Sequence, residues 1–171
     1  MATLVLSVVG DDRPGLVDDI SGVVESHGGN WERSQMARLG GKFAGIVQVS
    51  IADQDAEALR DALSALGHDG VLQVSVDRTG VAPVPTRRRF VLHLVGSDRP
   101  GLLHSVSTAL AAVRASIEEL TSDTVAAPMS GDPLFQATVT VALPGSVGIE
   151  TIRTELEALA DRLMVDIELE D

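Results

Sequence analysis

Between residues 3 and 9 the chain alternates Leu4, Leu6 and Val8 with Val5, Ser7 and Val9. A period of two predicts a strand with one face covered and a second face only partly polar. Leu16, Val17, Ile20, Val23 and Val24 then recur at helical spacing, and Gly28-Gly29 follows them as a left-handed helix end. A second strand is expected over residues 30–39, and the run 43–51 is its antiparallel partner. Gly40-Gly41 between these runs is a two-residue hairpin signal. Residues 53–55 open a second helix that carries Leu59, Ala62, Leu63 and Leu66 and is closed by Gly67 and Gly70. Leu72, Val74 and Val76 alternate with Gln73, Ser75 and Asp77 as a last strand. The predicted order is βαββαβ.

Residues 79–86, with Gly80, Pro83 and Pro85, have the composition of a linker. After it the order repeats: a strand over 89–95, a helix carrying Leu102, Leu103, Val106, Leu110 and Val113, and a strand over 117–125. The hairpin differs, because residues 126–133, with Pro128, Gly131 and Pro133, predict a longer and mobile loop. Phe135, Ala137, Val139, Val141 and Leu143 then give a strand. Ile149, Ile152, Leu156, Leu159 and Leu163 give a helix, and Val165, Ile167 and Leu169 the final strand. The pattern predicts two α+β domains, residues 1–79 and 88–171, joined by a linker over 80–87. Each is an antiparallel sheet with two helices on one face. Val5 and Val9, matched by Val91 and Val95, face away from the core, and such surfaces predict pairing between sheets.

One stretch is written twice. Gly10-Asp11-Asp12-Arg13-Pro14-Gly15-Leu16 recurs as Gly96-Ser97-Asp98-Arg99-Pro100-Gly101-Leu102, a constant offset of 86 residues. Each copy joins a strand to a helix. Free N–H groups at a helix start, with the positive end of the helix dipole, favour a carboxylate or phosphate there. Asp12 can accept from those groups, Pro14 suits the first helical turn, and Gly15 permits close approach.

Composition narrows what such loops serve. The formal charge is −12 and clustered positive charge is confined to Arg87-Arg88-Arg89, which argues against direct nucleic-acid binding. Aromatic residues make up 2%, so there is little surface for stacking bases. No cysteine occurs, which removes disulfides and thiolate metal sites. His27, His68, His93 and His104 share no metal-ligand spacing, so neither metal nor cofactor is expected. No apolar run reaches the roughly 20 residues of a membrane span, and no secretory signal pattern opens the chain. A cytoplasmic protein is the simplest expectation.

The double Gly-x-Asp-Arg-Pro-Gly-Leu, each copy inside βαββαβ, resembles tandem ACT domains of ferredoxin-like fold. It is most similar to the two-domain family of the glycine cleavage system transcriptional repressors. ACT domains are regulatory modules that bind amino acids, often between paired domains, through the loop after the first strand and the start of the second. The resemblance implies ligand-binding roles for Asp12, Arg13, Pro14, Gly15 and Asn30, and for Asp98, Arg99, Pro100 and Gly101. The second copy departs where Ser116 stands for Asn30 and Val113-Arg114-Ala115 for His27-Gly28-Gly29.

Each position also has a plainer reading. Asp-Arg-Pro-Gly is equally a turn with a helix cap, and an exposed Arg after a turn is usually solvated or weakly paired. The expectation is a carboxylate at the backbone N–H groups beside Gly15 or Gly101, with an ammonium near Asn30, whose amide both donates and accepts. Trp31 reads as core or interface packing, His104 as an exposed helix histidine, and His93 as meeting another domain or solvent. The acids at Asp18-Asp19, Glu118-Glu119 and Asp166 to Asp171 read as solvated surface. No nucleophile elbow, P-loop or dinucleotide fingerprint is present, so no catalytic residue is assigned. The resemblance implies an amino-acid sensor that passes its signal to a partner protein, a transcription factor or a metabolic enzyme, with homodimerisation through the sheets. A regulatory subunit and a scaffold with vestigial loops remain alternatives.

Overall fold

The computed structural model describes residues 1–67, 72–80 and 87–170. His68, Gly70 and residues 81–86 of the expected linker lie outside them. The chain divides into two compact units, Met1–Pro83 and Val84–Asp171.

The first unit runs β1 (Ala2–Asp11), α1 (Leu16–Ser26), β2 (Asn30–Leu39), β3 (Lys42–Ile51), α2 (Ala56–Ala65) and β4 (Leu72–Thr79). Its sheet has the order β2-β3-β1-β4, with every neighbouring pair antiparallel. Alternation sends Leu4, Leu6, Val8, Val47 and Val49 to one face. There they pack with Ile20 and Val24 of α1 and Leu59 and Leu63 of α2. Trp31 and Met36 pack against the rim of this core. Val9 and Ile46 remain 46% and 49% exposed on the other face. Val17, expected within the apolar stripe of α1, is instead 45% exposed. The hairpin turn forms as the sequence predicts, with Gly40 and Gly41 both at positive φ, 58° and 78°.

The second unit repeats the order with β5 (Arg88–Ser97), α3 (Leu102–Ala112), β6 (Ser116–Ala126), β7 (Pro133–Leu143), α4 (Ile149–Leu163) and β8 (Val165–Glu170), in a sheet ordered β6-β7-β5-β8. Its core joins Phe90, Leu92, Leu94, Val139 and Val141 to Val106 and Leu110 of α3 and Ile152, Leu156 and Leu159 of α4. The longer β6–β7 loop is closed by hydrogen bonds from Ala127 N to Asp132 O at 2.8 Å and from Gly131 N to Ala127 O at 3.0 Å.

The helix ends of the two units correspond bond for bond. Gly28 N donates to Glu25 O and Gly29 N to Val24 O, each at 2.9 Å, the paired bonds that close a helix through a left-handed residue. Arg114 N donates to Ala111 O at 3.0 Å and Ala115 N to Leu110 O at 2.9 Å. Gly28 stands at φ 73° and Arg114 at φ 57°. The departure at Val113-Arg114-Ala115 therefore changes the residue and keeps the turn.

Candidate functional site

The Asp-Arg-Pro-Gly loops occupy the same corner of each unit. β1 stays paired with β3 to Asp11↔Lys42, after which Asp12 N donates to Gly41 O at 3.0 Å. In the second unit β5 pairs with β7 to Ser97↔Leu134, and Asp98 N donates to Pro133 O at 2.9 Å. Each loop thus leaves its sheet beside a β-hairpin and enters a helix.

The helix entries correct three expectations. Gly15 and Gly101 are themselves the N-caps, at φ 91° and 84°, and no side chain caps either helix. Pro14 and Pro100 therefore precede the helices, and Asp12 does not cap. Its carboxylate instead accepts from Arg38 Nη1 at 3.2 Å. Gly15 is needed for its left-handed backbone: a Cβ there would meet only Arg13 Nη1, at 3.9 Å. Beside Gly101 a Cβ would meet nothing within 4 Å.

The charges around the two helix starts differ. Arg13 Nη2 donates to Asp19 Oδ2 at 2.6 Å, and Asp18 and Asp19 both lie in the first turn of α1. Lys42 binds Asp11. A cavity of about 270 Å³ lies here, lined by Asp12, Arg13, Gly15, Val17, Asp18 and Phe43. It offers carboxylates for an ammonium and a guanidinium already shared with Asp19. The first turn of α3 has no acid. Arg99 Nη2 donates to the carbonyl of Leu163, at the end of α4. His104 is exposed on α3.

Asn30 is not brought to its loop. It pairs with Ser50, eight residues along β3 from the Asp11↔Lys42 pair, roughly 26 Å at about 3.3 Å per residue. Ser116, opposite Ala142, stands equally far from Ser97↔Leu134. One amino acid cannot touch both Gly15 and Asn30 of the same unit, because the 11 residues of α1, roughly 16 Å at about 1.5 Å per residue, stand between them.

The structure adds a feature that periodicity does not reveal. The β2–β3 register shifts between Trp31 and Arg33, and the β6–β7 register between Ile117 and Glu119. A bulge thus places Glu32 and Glu118 at matching points. Glu32 Oε2 accepts from Gln48 Nε2 at 2.8 Å, and Glu118 Oε2 from Arg89 Nε at 2.6 Å. Hydrogen bonds from Ser50 and Gln48 hold the Glu32 carboxyl below its ordinary value. The recurrence of Glu at the 86-residue offset was the available signal. His93 lies on the sheet face away from the core, sharing a 3.3 Å hydrogen bond with Thr138 Oγ1 and standing 3.6 Å from Glu170 Oε2. Among the described residues no group of three His, Asp or Glu is placed to hold a metal ion. No helix there is long and apolar enough to cross a membrane.

With two βαββαβ units and a Gly-x-Asp-Arg-Pro-Gly loop at the same corner of each, the fold and its loops are those of tandem ACT domains. Residues 2–77 match the ACT domain family model, and the first unit is an ACT domain. It is similar to the glycine cleavage system transcriptional repressor of Escherichia coli strain K12, with 29% identity over 161 residues spanning 94% of this chain and 85% of the relative. A solved structure of an unknown protein from Galdieria sulphuraria is 35% identical and superposes with a TM-score of 0.87, covering 99% of this chain and 97% of the other. The crystal structure of a candidate glycine cleavage system transcriptional repressor shares the fold at 22% identity and a TM-score of 0.75, over 99% and 96% of the two chains.

Proposed function

We propose that this chain is a non-catalytic regulatory protein that binds a free amino acid and passes that signal to a partner protein. The observation that carries the reading is the duplicated loop. In both units it ends in a left-handed glycine at an uncapped helix start, where backbone N–H groups favour a carboxylate. The relationship to a glycine cleavage repressor supports glycine as the first ligand to test and a transcriptional regulator as the partner. Asp12, Arg13, Pro14 and Gly15, with Asp98, Arg99, Pro100 and Gly101, are the proposed contact residues. Asn30 would serve only a site to which another unit or chain contributes. The partly apolar outer sheet faces, with Val9 and Ile46, are the proposed homodimer surfaces.

Net charge makes control of transcription indirect in this reading. Three adjacent arginines supply at most about three phosphate contacts, too few to dominate a charge of −12. The partner carries the DNA contacts, and by linkage it changes affinity for the amino acid by the factor with which the amino acid changes affinity for it. A thermal-shift screen against the common amino acids tests the ligand. A binder at one hundred times its dissociation constant adds about 2.7 kcal/mol, and no shift at millimolar concentration would overturn the sensor reading. A promoter fragment retarded by the purified chain alone at physiological salt would overturn the indirect route.

A further inference from the structure

Arg99 ties its loop to the far end of α4. Its guanidinium donates to the carbonyl of Leu163, 64 residues onward and the last residue of that helix. Carbonyls of a last turn lack intrahelical partners and sit at the negative end of the dipole, so an Arg suits them. The chain turns from α4 into β8 through one residue, Met164, left-handed at φ 51° and 82% exposed. β8 then meets β5 at Gly96↔Val165, where a Cβ on Gly96 would lie 2.4 Å from Val165 Cγ1. Two residues of the duplicated stretch, Gly96 and Arg99, therefore contact the junction of α4 and β8. The first unit is wired otherwise: Arg13 is held by Asp19 of its own helix, and Asp12 by Arg38 of the hairpin.

We propose that Arg99 is a latch operated by a carboxylate. The α-carboxylate of an amino acid arriving at residues 98–101 takes the guanidinium from the Leu163 carbonyl and releases the last turn of α4 and the start of β8. This rests on the amino-acid reading above. A carboxylate adds a full opposite charge and a bidentate fork that a single neutral carbonyl does not offer. Arg99 thus gains by the exchange, whereas Arg13 already holds a carboxylate and gains little. The amino acid moves the latch only as far as it binds the released state better. β8 is an edge strand of its sheet, and an edge strand can pair with a second protein that reads the change.

The test is hydrogen exchange followed by mass spectrometry on the full chain, alone and with each common amino acid, beside the thermal-shift screen. An amino acid that raises the melting temperature should speed exchange over residues 160–167 several-fold, and its α-carboxamide should not. Arg99→Ala should exchange at the faster rate with nothing added and respond no further, while Arg60→Ala, on α2 and outside both loops, keeps the full response. Arg99→Lys, which retains the cation without the planar fork, should fall between and serves if the alanine variant unfolds. No thermal shift with any amino acid would remove both the sensor reading and the latch. A thermal shift with unchanged exchange over residues 160–167 would remove the latch alone. An undiminished response in Arg99→Ala would reduce Arg99 to a structural cap and overturn the proposal.

Discussion

The two units share a backbone and differ in what their helix starts already hold. In the first, Asp18 and Asp19 occupy the first turn of α1 and Arg13 leans onto Asp19. Acids there each stabilise the helix by about 0.3–1 kcal/mol, and they act as built-in anions where an outside carboxylate would sit. In the second, α3 begins Leu102-Leu103-His104, its first turn holds no acid, and the space beside Gly101 is open. Identical loop residues thus give unlike electrostatics. The departures of the second copy at Ser116 and Arg114 leave its loop geometry intact, while the acids that follow Gly15 weigh against a carboxylate at the first. The comparison orders the loops opposite to motif completeness: the second is better disposed to a carboxylate, and the first, with its cavity and acids, to an ammonium.

The largest effects should fall on what the units share. Leu6 and Leu92, at the 86-residue offset, are 0% and 1% exposed in their separate cores. Leu6→Ala and Leu92→Ala should each cost about 2–5 kcal/mol, read by urea denaturation. Hydrogen exchange should show each loss confined to its own unit, and a loss spread evenly over both would break the division into two cores. Next come the loop glycines, where Gly15→Ala and Gly101→Ala force a side chain into the left-handed region. Each should lose about 1–2 kcal/mol. Equal losses would sharpen the shared-backbone half of the comparison, because neither site offers a close contact to crowd a Cβ.

A smaller effect tests the helix ends. Arg114 holds at φ 57° the turn that Gly28 holds at φ 73°. Arg114→Gly should therefore stabilise the second unit by up to about 1 kcal/mol, and Gly28→Ala should destabilise the first by a similar amount. An Arg114→Gly variant less stable than the parent would mean that the arginine side chain contributes more than its backbone costs.

How far the sequence revealed these features depends on the physical signal each one leaves. Strands and helices were legible because Leu4, Leu6 and Val8, or Ile152, Leu156 and Leu159, repeat at the period of their element. The Gly40-Gly41 turn was legible because both residues need positive φ. The loop position was legible through its duplication. The wiring was not: Arg13 and Arg99 are the same residue in the same motif, and what each binds depends on Asp19 six residues away and on Leu163 64 residues away. The distance of Asn30 from Gly15 was missed: the sequence reading joined them in one site, although the 11 residues of α1 stand between them. The bulges left no trace in periodicity, since Glu32 and Glu118 interrupt strands that are exposed almost throughout.

The bulge at Glu32 supplies the smallest prediction, a dependence on acid in the first unit. Glu32 is lowered from an ordinary value of 4.5 first by its hydrogen bond from Ser50, then by that from Gln48, against a smaller opposing effect of desolvation. Both donors are neutral side chains, so the shift reflects hydrogen bonding to the charged form and should persist in high salt. A carboxyl whose folded pKa lies below its unfolded one contributes stability that is present in full above pH 4.5 and is lost as pH falls through the folded value. Glu32→Gln removes the titrating group. The gap between parent and variant in urea midpoint should stay constant above about pH 5 and narrow below pH 4.5. The exposure of Glu32 keeps the gap small. Ser50→Ala should remove the larger part of the acid dependence and Gln48→Ala the smaller. A gap that stays constant down to pH 3 would show that these hydrogen bonds do not favour the ionised bulge.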